Sequence, residues 1–493
     1  MNNSYLQSHT LLIALCAGLG CLLSGCMLGP DYKQPNTVLP SDWHSVSASP
    51  SANSDANSEA AWWRNFHDPV LEQLIEKAAI ENLDLKVAET RISQARAQRA
   101  SAQAALLPSG DLMAGANRQA NQIGFPGGSS SPLSQIIKQP FNIFKTGFDA
   151  SWELDLFGGH RREAEAAGAD LEASMLTRDD LLISLRAEVA RTYLEIRQFQ
   201  TQVQLAEHIL AADQKTSDIM QQRFAVGDIA GLEVSRATSQ LEQDGGQTAY
   251  YGNLQAQAEY SLDLLLGAQP GAAQALLKQA AAIPRSGNEL IPAAPATVIA
   301  QRPDIRIAER RLAAATAQQG AAIAKFFPDI SLTGFIGLFN TNAANFINAG
   351  SKSWSMGANV LWPILSYGSL AANLDAADAK QQEALNSYQK AILGALSDVE
   401  RSLTAYQTQE LSLQALERAV AAEQDSCNIA QERYAAGVTS YLEALDAERK
   451  LLALQNQLAS AKALNAQNLV AVYKSLGGGW NVTVASASQE KLP

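Results

Sequence analysis

The phrase RYAAGVTSYLEALDA at residues 433–447 restates RFAVGDIAGLEVSRA at residues 223–237, and the restatement decides how the chain is built. Phe224 aligns with Tyr434, Gly227 with Gly437, Leu232 with Leu442, Glu233 with Glu443 and Ala237 with Ala447, all at an offset of 210 residues. The offset holds upstream without a gap, pairing Trp152 with Trp362, Phe157 with Tyr367, Gly158 with Gly368, Val189 with Val399 and Arg191 with Arg401. Further upstream DLKVAETRISQARAQ from Asp84 matches DIRIAERRLAAATAQ from Asp304, and Pro108 matches Pro328, now at an offset of 220. Self-similarity at a fixed spacing over so long a stretch is a tandem duplication of one large unit. The first copy carries ten extra residues between Pro108 and Trp152, which are expected to form a loop.

Each copy reads as a helix, two strands and two helices. Apolar residues Leu185, Val189, Ile196, Phe199, Val203, Ala206 and Leu210 keep the three-four spacing of a coiled-coil seam, interrupted only by Thr192. Proline is absent from residues 161–225 and 370–435. At about 1.5 Å per residue each helix reaches roughly 95 Å, far longer than a helix of a small globular core. Between the helices the period falls to two. Phe144, Phe148, Ala150, Trp152 and Leu154 alternate with Lys145, Asp149, Ser151, Glu153 and Asp155; Trp354, Met356, Ala358, Val360 and Trp362 alternate with Ser353, Ser355, Gly357 and Asn359. Segments of this length with aromatic ends read as membrane β-strands, one face to lipid and one to a wet lumen. An ordinary half-buried hairpin alternates in the same way. Two hairpins give four strands, too few to close a membrane barrel, so copies of the chain must combine.

Composition narrows the class. The net charge of −12 excludes the basic footprint of a nucleic-acid binder. Three of the four cysteines, Cys16, Cys21 and Cys26, precede residue 27, so a disulfide framework is not available and Cys427 reads as an inert thiol. The run LLIALCAGLGCLLSGCML ends in Leu23-Ser24-Gly25-Cys26, the pattern of a lipoprotein signal peptide cut before an acylated cysteine; an uncleaved membrane anchor, for which the run is just long enough, is the alternative. The five histidines are scattered, and neither GxxxxGK[ST] nor GxSxG is present, so the sequence offers no catalytic or metal-ligating constellation and reads as a non-enzyme.

The flank CMLGPDYKQP, the segment AWWRNFHDPVLEQLIEKAAIENLDLKVAETR from Ala61, QRPDIRIAERRL from Gln301 and the two opening phrases together resemble the outer membrane factors, the TolC and OprM type of channel. Within them the chain is most similar to the lipoprotein, NodT-like branch serving resistance-nodulation-division efflux pumps. The resemblance implies an α+β membrane protein in which a homotrimer closes a twelve-stranded barrel, four strands per chain, above a long coiled-coil periplasmic tunnel with a mixed equatorial region. It further implies a periplasmic adaptor and an inner-membrane transporter as partners, outer membrane lipid around the barrel, and no cofactor beyond the lipid on Cys26. Met27, in place of Asp after the lipidated cysteine, resembles the signal for outer membrane export.

On this frame the expected organisation is a signal peptide at 1–25, a lipid-anchored segment at 26–70, a first repeat at 71–285, a second repeat at 286–476 and a tail at 477–493. The first repeat holds a hairpin at about 109–157 and helices at 161–225 and 229–266; the second holds a helix at 303–327, a hairpin at about 329–365 and helices at 370–435 and 439–475. A glycine between two long helices suits a C-terminal cap needing positive φ, so Gly227 and Gly437 are expected at hairpin tips. By resemblance Gly227, Asp228, Gly437 and Val438 dock the adaptor. Leu442 and Asp446 match the family's constriction, with Arg433 and Tyr434 holding the coils closed. Asp446→Ala is expected to raise conductance and cation leak. Arg302, Pro303 and Asp304 suit a helix N-terminus, and Trp62 and Trp63 are expected to be packing anchors. The function expected is a passive exit duct of a tripartite efflux pump; a type I protein secretion duct and a lipid-anchored coiled-coil structural protein are the alternatives.

Overall fold

The computed structural model describes residues 27–45, 61–119, 140–286 and 293–478. The expected signal peptide, Cys26, residues 46–60, the loop of the first hairpin and nearly all of the tail lie outside the described residues. The elements are α1 (Pro69–Glu81), α2 (Leu83–Ala104), β1 (Ser109–Gln119), β2 (Phe141–Leu154), α3 (Gly159–Ala225), α4 (Gly231–Leu265), α5 (Pro295–Gln301), α6 (Pro303–Ala324), β3 (Asp329–Asn340), β4 (Lys352–Leu361), α7 (Tyr367–Ala435) and α8 (Tyr441–Ser475). Element boundaries shift by a few residues from the sequence reading, and two of the shifts have a clear local cause. α1 begins inside the expected lipid-anchored segment, because Pro69 sits at its first turn and the Asp68 carboxylate caps the N–H groups of Val70 and Leu71. α6 stops at Ala324, short of the expected residue 327, and residues 325–328 turn into β3.

The chain divides into two compact units. The first holds the four strands, paired antiparallel in the order β1-β2-β3-β4, so the hairpins of the two repeats lie side by side in one sheet. Its register explains the alternation. Leu112, Phe148, Ile336 and Trp354 face one another across all four strands, and they are 72%, 63%, 67% and 74% exposed. The next positions, Asp111, Asp149, Phe335 and Ser355, form a row on the opposite face. A sheet with one continuous exposed apolar face and one polar face is built for lipid on the first side and water on the second. On the polar face a Cβ at Gly147 would stand 2.4 Å from the Ile336 carbonyl, and both Gly147 and Gly337 lie under the Phe335 ring. That ring fills the space of the missing side chains and carries the Lys145 ammonium 4.0 Å from its centroid.

The duplication survives in detail at the end of the strands. Trp152 Nε1 donates to the Leu106 carbonyl at 3.0 Å, and its repeat mate Trp362 donates to the Phe326 carbonyl at 3.1 Å. Here also the N-terminal arm is moored. Arg162, 1% exposed, donates to the carbonyls of Leu28 and Gly29 and to the carboxylates of Asp31 and Glu165. Gly29, at φ +89°, lets the arm lie against Gly320, where a Cβ would come within 2.5 Å of the Gly320 Cα.

The second unit is helical. Trp62, Trp63 and Phe66 pack into a core with Leu71, Leu74 and Ile75 of α1, Val189 and Tyr193 of α3, Leu262 of α4 and Leu469 and Tyr473 of α8. Trp62 stacks on Tyr473 with ring centroids 5.5 Å apart, and the Tyr193 hydroxyl donates to Asp68 at 2.6 Å. Leu185, Val189 and Ile196 of the predicted seam are buried in α3, and so is Thr192, which interrupts it. Pro303 opens α6, Asp304 accepts from the Ile305 N–H, and Arg302 ties Asp304 to the Ser475 carbonyl, a structural use of all three. With 67 and 69 residues, α3 and α7 are each roughly 100 Å long. Among the described residues no helix is long and apolar enough to cross a membrane.

Candidate functional site at the helical hairpin tips

The two tips of the second unit share one stopping device. At the end of α3 the Gly227 N–H donates to the Phe224 carbonyl at 2.9 Å and the Asp228 N–H to the Arg223 carbonyl at 3.0 Å. At the end of α7 Gly437 donates to Tyr434 and Val438 to Arg433, both at 2.9 Å. Paired bonds of this kind around a left-handed residue are the Schellman cap, and Gly227 and Gly437 stand at φ +77° and +71°. The restarts differ. α8 is capped by Ser440, whose hydroxyl oxygen accepts the Glu443 N–H, whereas α4 begins after Ala230 with no side-chain cap.

The side chains differ as well. In the first tip Arg223 Nε donates to Asp228 at 2.7 Å, closing the turn on itself. Val438 stands where Asp228 stands, so Arg433 has no such partner in its own turn; Tyr434 packs edge-on against Tyr441 at 5.4 Å. Gly227, Asp228, Gly437 and Val438 are all exposed, as are Phe224, Val226, Leu232, Tyr434 and Leu442. Exposed apolar groups beside two capped turns have the chemistry of an interaction surface.

One turn into α8, Leu442 and Asp446 point off the face opposite the buried Ala444, Leu445, Ala447 and Leu451. Asp446 does not stand alone, since Lys450 Nζ approaches its carboxylate at 2.7 Å. The hydrogen bond and charge of Asp446 raise the lysine's pKa. Helical spacing i,i+4 carries this pair in the sequence, whereas the constriction motif names only Leu442 and Asp446. Arg236, aligned with Asp446 in the first repeat, bonds Glu233 instead at 3.2 Å. Behind this face lies a contact with no trace in the motif: Arg449 of α8 pairs with Asp213 of α3, which is 1% exposed. Cys427 is buried against Ala447 and Leu451. Among the described residues no three His, Cys, Asp or Glu side chains are placed to hold a metal.

The profile of the outer membrane efflux protein family matches residues 74–268 and 294–478, one segment for each repeat. The chain belongs to the outer membrane efflux protein family. It is 34% identical over 489 residues to the toluene efflux pump outer membrane protein TtgF of Pseudomonas putida, covering 97% of this chain and 98% of that one. It is 31% identical over 470 residues to the cation efflux system protein CusC of Escherichia coli, covering 95% and 98%. The solved outer-membrane channel OprN superposes with a TM-score of 0.82 at 32% identity, over 92% of this chain and all of that chain. As a member of this family the protein is an outer membrane efflux channel, with its strands in the outer membrane and its long helices built for a periplasmic tunnel.

Proposed function

We propose that this efflux channel is the passive exit duct of a tripartite pump, working as a homotrimer without chemistry of its own. The observation that carries the reading is the pair of hairpin tips closed by the same glycine cap and flanked by exposed apolar side chains, which present Gly227, Asp228, Gly437 and Val438 to a partner. A periplasmic adaptor fits that surface, and an inner-membrane transporter of the resistance-nodulation-division class supplies the energy. Leu442 and Asp446 form the constriction when three copies bring α8 together. Arg433 and Tyr434, which find no carboxylate in their own turn, then reach for those of the neighbouring copy. Relatives named for toluene and for cations are 34% and 31% identical to this chain, which supports a duct that leaves cargo selection to its pump. The lipid on Cys26 anchors an arm whose mooring on Arg162 begins two residues downstream.

A photo-crosslinking residue at Val438 in living cells tests the reading. Capture of a periplasmic adaptor of a proton-driven pump is expected. Capture of a protein-secretion adaptor would change the cargo and keep the channel; capture of no periplasmic protein would overturn the docking surface.

A further inference from the structure

The contact between Asp213 and Arg449 is incomplete as an ion pair. Asp213 is almost fully buried on α3, and Arg449 reaches only one of its oxygens; no donor reaches Oδ2. From α4 the carboxylate of Asp244 comes within hydrogen-bonding range of Asp213 while also accepting from Gln240 at 2.8 Å. Two carboxylates in such contact form a hydrogen bond only with a proton between them, and without it they repel. The charged groups acting on Asp213 are Asp244 from α4 and Arg449 from α8. Fully ionised, the cluster carries one uncompensated negative charge; with one proton it is neutral.

We infer that Asp213 and Asp244 form a buried proton-binding site that locks the first helical hairpin to α8 of the second. A small cavity of about 40 Å³, lined by Leu205, Ala206 and Ile209 on one part and by Gln202, Tyr251 and Asn456 on another, reaches Asp244 of the pair. Burial and the hydrogen bond to Asp244, opposed by Arg449, push the Asp213 carboxyl up to about 6 from its ordinary 3.8. The packed junction therefore holds more protons than the opened one between those values, and its stability falls as pH rises through the window. Arg449 lies one turn beyond Asp446, so the proton biases the helix that carries the proposed constriction. That consequence, unlike the proton site itself, rests on the proposed function.

Amide exchange of the full-length protein in detergent, corrected for the intrinsic pH dependence, tests the site. The segment of α8 around Arg449 is expected to gain about tenfold protection from about pH 7.5 to about pH 5, the shift that a carboxyl raised from 3.8 to about 6 imposes on the opening equilibrium. Asp213→Asn, which leaves one carboxylate for Arg449, should abolish that gain and keep the segment protected throughout. Asp244→Asn should do the same and serves where the first variant fails to fold. A wild-type profile without the gain, or a gain retained in both variants, overturns the proton site. Single-channel conductance across the same range separates the two readings: a pH-independent conductance beside pH-dependent exchange would leave the proton site standing and remove its link to the gate.

Discussion

At Gly437 the backbone occupies φ +71° and no atom lies within 4 Å of where a Cβ would stand, so a side chain there meets only conformational strain. Gly437→Ala is expected to cost about 1–2 kcal/mol, confined to the cap. Amide exchange in the last turn of α7 should quicken by about tenfold with no change in trimer yield, whereas global unfolding would show that the tip is part of the core. Asp446 carries a second prediction. With Lys450 at 2.7 Å the proposed three-fold ring would hold equal numbers of both signs, so Asp446→Ala would leave a ring of lysines. Conductance should rise as the ring of pairs is lost, and the reversal potential in a salt gradient should swing toward anions, with Lys450→Ala swinging it toward cations. Cation leak from Asp446→Ala would instead mean that Lys450 points away from the pore in the trimer. The glycine could be read from the motif because positive φ is a one-residue constraint with a one-residue signature. Asp213 with Arg449, and Arg162 with Leu28, could not, because each joins residues more than a hundred positions apart and no periodicity encodes which partner is met.

Strands are where the sequence said most. A period of two fixes a strand's faces by itself, and the duplication supplied the second hairpin, so lipid and lumen sides were legible before any register was known. The order β1-β2-β3-β4 was not, since alternation says nothing of which strand pairs with which. The glycine pair under Phe335 was equally hidden, because a glycine in a strand signals close approach without naming the group that approaches. The face assignment gives a paired test. Ile336 and Ser355 sit on neighbouring strands and opposite faces. Ile336→Lys puts a charge on the lipid side and is expected to cost about 2–4 kcal/mol near the bilayer centre, while Ser355→Lys points to the wet side and should cost little. Reversible unfolding in lipid vesicles reads the difference; equal losses for the two variants would contradict the assignment.

For the whole molecule the decisive fact is that, among the described residues, the sheet ends in two unpaired edges, β1 and β4, and bears an exposed apolar face suited to a bilayer. Because every pair is antiparallel and the strand number is even, β4 of one copy meets β1 of the next with opposite direction, so a head-to-tail ring continues the same pattern across each seam. Two copies would give about eight strands, whose interior is filled by side chains and leaves no duct. Three give twelve and an open lumen, in keeping with the polar face carrying Asp111, Asp149 and Ser355. The count can be measured with cysteines on the lumen side of both edges, one at Gly115 and a second in turn at Ser353, Ser355 or Gly357, in a Cys427→Ala background. Under oxidation at least one combination should yield bands of one, two and three chains on a denaturing gel, with the largest species running as a closed ring and none heavier. A ladder that stops at two chains, or runs on to four, would refute the threefold barrel and with it the ring of six tips to which the adaptor is proposed to bind.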